Sequence, residues 1–418
     1  MINLSKFGVE LHQAKLKNGA DIFLFKRKGM PIFLRATFFA GSRFDTIPGT
    51  AHFLEHMLLA GTEKFPTKNL IANHIHRVGG EFGASTDNTF LRFDIEIPES
   101  QDINIGLEVL SECLTNSLID EKTFENERGA ILSELKSKKS NPREYIRELR
   151  RELVLQGTPA GRSTLGDEAD IKAITRQGVL DYRDQYIHSG RLAIIASGDI
   201  DIETLVKGLD TINFSNRSRF AAENKLPVIK DENLGVKLYE DTNQLQVSLA
   251  ARTDVENYNE YCALKVLSSI LGEGRGSKLI TKLRYENGLV YSISSGIYNT
   301  ADWGMLTINF SCDKEHLNKV RELIFETLGE LKLNNISSAE LEDAMSKISK
   351  GAISRFQPSK AWVEFHEDDA LFSPSQLHTA EGYIHAINSL TLEDTQRVIN
   401  KYLTEENFLM AVCGNYKQ

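Results

Sequence analysis

The sequence has little of several features that mark particular classes of protein. Its 418 residues include only four cysteines, which are scattered without a CxxC pair, and this argues against a disulfide scaffold, a zinc ribbon and an iron–sulfur site. No apolar run approaches 18 residues, so the sequence contains no membrane-spanning helix. Lys and Arg number 49 against 58 Asp and Glu, a net charge of −9. The missing basic surplus argues against a nucleic-acid-binding protein.

The N-terminal segment also lacks a targeting signature. Residues 1–18 are polar and of mixed charge, without the apolar stretch of a secretion signal or the Arg-rich, acid-poor character of a transit peptide. Together with the scattered cysteines, this predicts a cytoplasmic protein. A chain from which a signal or transit peptide had been removed would look the same.

What the sequence does contain is the composition of a core-forming globular protein, with 41% hydrophobic and 26% charged residues. At roughly 150 residues per domain, its length predicts two large domains. Aromatic and β-branched runs or alternating patterns predict strands, and amphipathic runs predict helices. The predicted strands are 21–25, 31–39 and 90–97, and the predicted helices are a run ending at about 59, then 103–116, 121–139, 142–155 and 175–186.

An internal repeat indicates how these elements are organised. The segment from Ile171 to Gly198 aligns without a gap with the segment from Ile387 to Gly414, at an offset of 216 residues. A strand followed by a helix also recurs, in the same order, near 33 and near 244. The repeat predicts an α+β fold of two homologous domains, each a mostly antiparallel sheet packed with helices. The polar stretch 213–233 is the predicted linker, which gives domains 1–217 and 218–418.

The sharpest local motif is HFLEH at residues 52–56. On a helix, His52 and His56 are four residues apart and project from one face, so their imidazole nitrogens can bind one Zn²⁺. Glu55 lies at a neighbouring angle, where a carboxylate can take a proton from a water molecule that the metal activates. The order is that of the inverted zincin motif. Five residues alone are equally compatible with an ordinary helix that happens to carry two histidines.

A second acidic motif could complete such a site. Glu127 and Glu134 are seven residues apart, about two helical turns, and share a face. Considered alone, they are typical of a solvated helix face. Beside the first motif, Glu134 is a candidate third ligand, since His₂Glu plus water is a known catalytic zinc arrangement. Glu127 is a candidate for orienting a ligand or assisting proton transfer.

With HFLEH at 52–56 and ERGAILSE at 127–134, the sequence resembles the M16 metallopeptidases, which include insulinase, pitrilysin and the mitochondrial processing peptidases. The resemblance implies that His52, His56 and Glu134 bind zinc. It also implies that Glu55 is the general base and that Glu127 supports activity.

The second half carries a further match, the segment LRYENGLVYS at 283–292. Without the family, this segment would be interpreted as an amphipathic helix that leads into a strand. The resemblance implies that Arg284 binds the substrate backbone. It also implies that Tyr291 donates a hydrogen bond to the oxyanion of the tetrahedral intermediate.

The sequence departs from the family pattern after Gly79-Gly80. There the family usually has an Asn-Ala pair that binds substrate backbone, and here Gly83 replaces the Asn, while Asn88 stands where a Glu is common. One substrate-binding side chain is therefore missing. The predicted edge strand at 84–90 can still pair with a peptide through backbone groups alone.

From these residues the sequence predicts a zinc-dependent endopeptidase that cleaves peptides or unfolded segments. The resemblance also implies a dimer, in which the zinc of one subunit faces the Arg/Tyr segment of its partner, across a closed chamber. Because this chain carries both sets of residues, a homodimer is the simpler expectation, and a heterodimer stays open. The alternative is a non-catalytic assembly subunit of a heterodimeric peptidase, although such a subunit has no reason to keep all five zinc-site residues. The natural substrate and its cleavage-site preference are not encoded in any motif.

Overall fold

The fold is taken from a computed structural model of the chain. The structure describes residues 2–4, 7–212, 215, 217–220, 225–227 and 232–416. Part of the predicted linker at 213–233 therefore lies outside the described residues. The predicted boundary between 217 and 218 stays a prediction.

In the first half, strands and helices follow one another closely. The strands are β1 (Ile2–Leu4), β2 (Val9–Lys15), β3 (Asp21–Lys26), β4 (Ile32–Phe38), β5 (Glu81–Thr86), β6 (Leu91–Ile97) and β7 (Leu192–Gly198). The helices are α1 (Thr50–Ala60), α2 (Lys68–His76), α3 (Ile103–Thr115), α4 (Glu121–Ser140), α5 (Pro142–Val154), α6 (Glu168–Ala173), α7 (Arg176–Tyr186) and α8 (Ile202–Leu209).

The second half repeats much of this order. The strands are β8 (Leu234–Leu238), β9 (Gln244–Thr253), β10 (Ser292–Asn299), β11 (Gly304–Asp313) and β12 (Phe408–Gly414). The helices are α9 (Tyr258–Gly272), α10 (Lys278–Ile280), α11 (Leu317–Asn334), α12 (Ser338–Arg355), α13 (Ser359–Phe372), α14 (Ala380–Asn388) and α15 (Leu392–Tyr402). A π-helical turn, Thr281–Glu286, directly follows α10.

The two sheets have the same topology over five strands. The first has the order β1-β2-β3-β7-β4-β6-β5, and the second has the order β10-β11-β9-β12-β8. All pairs are antiparallel except β3 with β7 and β12 with β8, so the parallel pair occupies the corresponding place in each sheet. The prediction of an α+β fold with two homologous, mostly antiparallel sheets is confirmed.

The chain divides into two compact units that do not coincide with its two halves. Unit 1 comprises 1–136, 162–222 and 353–379, and unit 2 comprises 137–161, 223–352 and 380–418. Helix α13, from the second half, therefore packs on β4 and β7 of unit 1, and helix α5, from the first half, packs on β9 and β12 of unit 2. The two halves exchange corresponding helices. This explains why all seven residues of β4 are buried, since α13 covers the sheet face opposite the main core.

The repeat found in the sequence reappears as matching local structure. Thr175 and Thr391 cap α7 and α15, each through a side chain that accepts the N–H three residues on, as N-cap threonines do. The strands that follow end at Gly198 and Gly414, whose φ angles are 139° and 149°. Backbone atoms of Pro31 and Ile32 lie within 3.0 Å of a Cβ added at Gly198. Glycine is therefore required there by both conformation and space.

The edge strand of the first sheet lies earlier than the sequence predicts. The prediction placed it at 84–90, whereas β5 spans Glu81–Thr86 and the chain then turns into β6. Asp87 causes the turn, because its Oδ1 accepts the N–H groups of Thr89 at 2.6 Å and Phe90 at 2.7 Å. This is an Asx-type turn, which competes with strand extension.

None of the helices in the described part of the chain is long and apolar enough to cross a membrane.

Candidate metal centre

Helix α1 places two histidines and a glutamate in a buried setting. It starts after Gly49, whose φ of 95° turns the chain into the helix. Asp45 stabilises the N-terminus of the helix, because its carboxylate accepts hydrogen bonds from the N–H groups of Gly49 at 2.8 Å and Ala51 at 3.0 Å. Burial raises the pKa of Asp45 to about 8, against the lowering effect of these donors. Only 6% of His52 and 9% of Glu55 is exposed, so the structure holds polar groups where apolar ones would normally pack.

The two imidazoles meet a carboxylate from α4. His52 Nε2 lies 3.7 Å and His56 Nε2 lies 3.4 Å from Glu134 Oε2, and one ligand atom from each residue fits within 4.8 Å of the others. Ligands at ~2.0–2.1 Å from a tetrahedral zinc ion are about 3.3 Å apart. In donor type and spacing, the three side chains therefore fit a zinc ion. Among the described residues they form the only cluster of three metal-ligating side chains.

Glu127 contacts His56 at the ring nitrogen that does not face Glu134. His56 Nδ1 lies 2.8 Å from Glu127 Oε2, the contact by which a carboxylate fixes the tautomer of a metal-binding imidazole and leaves Nε2 for the ion. Burial acts to lower the pKa of His56, but the hydrogen bonds to Glu127 and Glu134 and the nearby charge of Glu55 raise it to about 9. The negative surroundings thus favour a cation at Nε2, whether a proton or a metal ion.

The position of α4 is set by contacts of side chains next to the two glutamates. Ile131 and Leu135 are buried in the core of unit 1. The Arg128 guanidinium donates to the carbonyl oxygens of Ile171 and Ile174 and lies 4.8 Å from the ring centre of Phe124. These contacts hold the helix so that Glu127 and Glu134 both point toward α1.

Glu55 has a neighbour that the motif analysis did not single out. Thr86 Oγ1, at the end of β5, donates a hydrogen bond to Glu55 Oε2 at 2.6 Å. The sequence indicates only that residues 82, 84 and 86 of β5 share one face, because side chains alternate along a strand. It does not indicate that α1 covers that face.

The departure at Gly83 lies on β5 in open space. A Cβ built at Gly83 meets no atom within 4 Å. Steric contacts therefore do not require glycine at this position, because a Cβ atom fits there without a clash.

Arg284 and Tyr291 lie in unit 2, where both are exposed. Arg284 belongs to the π-helical turn Thr281–Glu286, a conformation that often marks functional sites and that no sequence pattern predicted. The Tyr291 hydroxyl donates to both carboxylate oxygens of Asp313, at 3.1 and 3.0 Å, and this contact raises the pKa of Tyr291. Asp313 is therefore a partner of Tyr291 that the motif analysis missed.

Two further histidines, His74 and His76, lie on α2 and make ordinary polar contacts. His74 Nε2 lies 2.8 Å from Glu108 Oε2, and Lys64 contacts the same carboxylate. This arrangement is a polar contact between α2 and α3. His76 points elsewhere, 3.5 Å from the exposed Glu81.

Two family models match successive parts of the chain. Residues 35–168 match the model described as insulinase, peptidase family M16, and residues 173–348 match the model described as the peptidase M16 inactive domain. Together they span most of the chain, and the first includes the whole cluster of α1 and α4 residues.

Individual proteins resemble the chain over nearly its full length. It is 25% identical over 375 residues to a Bacillus subtilis protein named uncharacterized zinc protease YmxG, covering 89% of this chain and 90% of the relative. It is 25% identical to the mitochondrial-processing peptidase subunit beta of Lentinula edodes, covering 90% of this chain and 84% of the relative. Among solved structures, a peptidase M16 inactive domain from Pseudomonas fluorescens superposes with a TM-score of 0.87 at 20% identity, covering 98% of both chains.

Proposed function

The chain belongs to the M16 peptidase family, and from this premise we propose that it is a zinc-dependent endopeptidase that cleaves peptides or unfolded segments. The observation that carries the proposal is the approach of His52 Nε2 and His56 Nε2 to Glu134 Oε2, at 3.7 and 3.4 Å. Relatives that bear the name zinc protease support the choice of metal.

In the proposed mechanism, His52, His56 and Glu134 hold the ion. When bound, zinc lowers the pKa of coordinated water toward ~7 and polarises the scissile carbonyl. Glu55 accepts the proton of the attacking water and passes it to the leaving amine, for which its place one residue before His56 is suited. Glu127 keeps His56 in the tautomer that presents Nε2, through the 2.8 Å contact to Nδ1.

The substrate is proposed to bind as an additional strand. Strand β5 is the edge of its sheet and, within the described part of the chain, pairs with β6 alone, so its outer backbone groups are available to an extended peptide. Binding through backbone groups fits peptides of varied sequence and excludes folded proteins, whose segments are already paired. Arg284 and Tyr291 are assigned to binding the substrate backbone and donating to the oxyanion, respectively, on the basis of the family resemblance.

The experiment that tests the proposal measures zinc content and hydrolysis of a quenched fluorescent peptide together. The chelated protein is expected to be inactive and to recover when zinc is added. Glu55→Gln is expected to keep zinc and lose turnover, whereas His56→Ala loses both. A matched control is Glu342→Gln on α12, where the glutamate is exposed and turnover should be unchanged. Hydrolysis that persists after complete removal of metal would rule out the mechanism.

The oligomeric state can be tested through the same residues. We propose a homodimer whose sites combine Glu55 of one subunit with Tyr291 of the other. Glu55→Gln and Tyr291→Phe proteins should each be inactive, and mixing them under conditions that exchange subunits should restore part of the activity. Light scattering that shows a fully active monomer would contradict this arrangement.

A non-catalytic subunit is the second candidate, because residues 173–348 match a model described as an inactive domain. That function predicts zinc-free protein and no hydrolysis even after metal is added. It also predicts that Glu55→Gln behaves like the parent protein in every assay. The metal analysis above therefore separates the two functions.

A further inference from the structure

The hydroxyl of Thr86 donates a short hydrogen bond to the proposed general base. Thr86 Oγ1 lies 2.6 Å from Glu55 Oε2, within the range of hydrogen bonds from a hydroxyl to a charged carboxylate, which are roughly twice as strong as neutral ones. Only 9% of Glu55 is exposed, so the accepting carboxylate is largely removed from water, while Thr86 is half-buried. The hydrogen bond restricts the rotation of a carboxylate that has several rotatable bonds.

The geometry of β5 explains why threonine can make this contact. Phe82 and Ala84 pack against the core of unit 1, and Thr86 is on the same face because side chains alternate along a strand. As the last residue of β5, Thr86 reaches α1 beyond the apolar part of that face. Its β-branched side chain is stiff at χ1, so the hydroxyl is held in a defined direction.

The residue after Thr86 anchors the end of the strand. Asp87 accepts two backbone N–H groups of the following turn through Oδ1, and its Oδ2 accepts Arg92 Nη1 at 2.7 Å. Burial acts to raise the pKa of Asp87, but the charge of Arg92 and these hydrogen bonds lower it, so the carboxylate stays ionised. The backbone next to Thr86 is thereby fixed.

The anchor extends to the helix contributed by the second half of the chain. Arg92 Nε donates to Glu367 Oε1 of α13 at 2.7 Å, and the same oxygen accepts the hydroxyl of Thr37 at 2.7 Å. Glu367 is 6% exposed, so this is a buried, hydrogen-bonded charge network in unit 1. A network of this kind supports a functional side chain by fixing the elements around it.

From these contacts we propose that Thr86 is a positioning residue that orients the Glu55 carboxylate for proton transfer, at the end of the strand to which substrate would be added. The proposal rests on the proposed function, because Glu55 must be the general base for its orientation to affect turnover. Thr86 itself neither binds the metal ion nor donates a proton to the substrate in this proposal. Its effect therefore falls on kcat rather than on zinc binding or KM.

The test compares two substitutions at Thr86. Thr86→Val keeps the shape of the side chain and removes the hydroxyl, and Thr86→Ser keeps the hydroxyl and removes a methyl group. We expect Thr86→Val to lower kcat about 10- to 100-fold, the range found when an outer-shell partner is removed, with zinc content and KM within about twofold of the parent. Thr86→Ser should keep kcat within about threefold. Thr204→Val, at an exposed threonine of α8, is the matched control.

Each outcome decides the proposal. A kcat for Thr86→Val equal to that of the parent overturns it, and so do equal losses in the Val and Ser proteins, which would point to packing rather than to the hydroxyl. Hydrogen exchange across β5 and α1 shows whether the Val protein keeps the fold. The Glu55→Gln protein is measured in parallel. If it retains full turnover, the proposed function and the role of Thr86 fail together, whereas an inactive Glu55→Gln with a fully active Thr86→Val rejects the role of Thr86 alone.

Discussion

Helix α1 of unit 1 and helix α9 of unit 2 follow corresponding strands, β4 and β9, yet they bury different side chains. Both helices bury apolar side chains, but their buried polar side chains differ: α1 buries His52 and Glu55, whereas α9 buries Glu260, Ser268 and Ser269. A buried imidazole or carboxylate is costly unless it is paired. The buried Glu260 of α9 accepts hydrogen bonds from Lys401 and Tyr402, whereas the buried His52 of α1 lies beside the carboxylate of Glu134. The comparison shows that the same place in the fold satisfies its buried polar groups in two ways, with basic and hydroxyl partners in unit 2 and with the candidate metal-binding side chains in unit 1.

The largest expected effect comes from comparing a glutamate substitution on α4 with one on α12, the corresponding helix of the second half. Glu134→Ala, on α4, should abolish zinc binding and reduce hydrolysis to the level of the chelated protein, because two imidazoles alone leave the ion short of its third protein ligand. Glu342→Ala on α12 should change neither property. Metal analysis and peptide hydrolysis check both proteins, and full zinc occupancy in Glu134→Ala would remove this residue from the site.

The exchanged helices provide the next comparison. Trp362 of α13 is completely buried, and its indole N–H donates to the carbonyl oxygen of Phe356 at 2.8 Å. Trp362→Ala should cost about 3–5 kcal/mol and Leu153→Ala, on α5, about 2–5 kcal/mol. Hydrogen exchange should quicken in β4 and β7 for the first protein, and in β9 and β12 for the second. The opposite pattern would show that each helix stabilises its own half. Lys360→Ala, at an exposed position of α13, is the control.

The same two helices should respond to pH in opposite directions. Burial lowers the pKa of His366, on α13, to about 4 from 6.5, so the unfolded chain binds the proton more tightly and unit 1 loses stability as pH falls from 6.5 to 4. Burial and the charge of Glu148 raise the pKa of Glu152, on α5, to about 7 from 4.5. The folded state then binds the proton more tightly, and unit 2 loses stability as pH rises from 4.5 to 7.

Each of these changes in stability is at most about 3.5 kcal/mol, since one pKa unit corresponds to ~1.4 kcal/mol. Denaturant unfolding followed by hydrogen exchange at several pH values measures them. Glu152→Gln should remove the slope of unit 2 and leave that of unit 1 in place. An unchanged slope in unit 2 would mean that another group titrates there.

The smallest expected effect concerns the repeated helix caps. Thr175→Ala and Thr391→Ala should each cost ~1 kcal/mol. The loss at Thr391 should be the larger, because its hydroxyl also donates to Asp394 Oδ2 at 2.7 Å in a capping box. Melting temperatures of the two proteins, compared with those of the Ser variants, test this order. A greater loss at Thr175 would mean that the additional contact between Thr391 and Asp394 does not strengthen the second cap.

Much of the architecture could be predicted because it depends on local patterns. The alternation in β6 and the amphipathic runs of α3, α4 and α5 each follow from which residues are apolar and how they are spaced. The aligned segments ending at Gly198 and Gly414 predicted the duplication. The predicted position of the edge strand β5 was wrong because Asp87 ends the strand through a hydrogen-bonded turn. The alternation of apolar residues contains no information about such a turn.

The sequence by itself determined which residues could form the candidate centre, because helical spacing places His52 with His56 on one face and Glu127 with Glu134 on another. Only the tertiary structure decided that these faces meet, that Thr86 contacts Glu55, and that α5 and α13 pack on sheets built mainly from the other half of the chain. The physical reason is that periodicity specifies which face of an element must be buried. What covers that face depends on contacts between residues far apart in the chain.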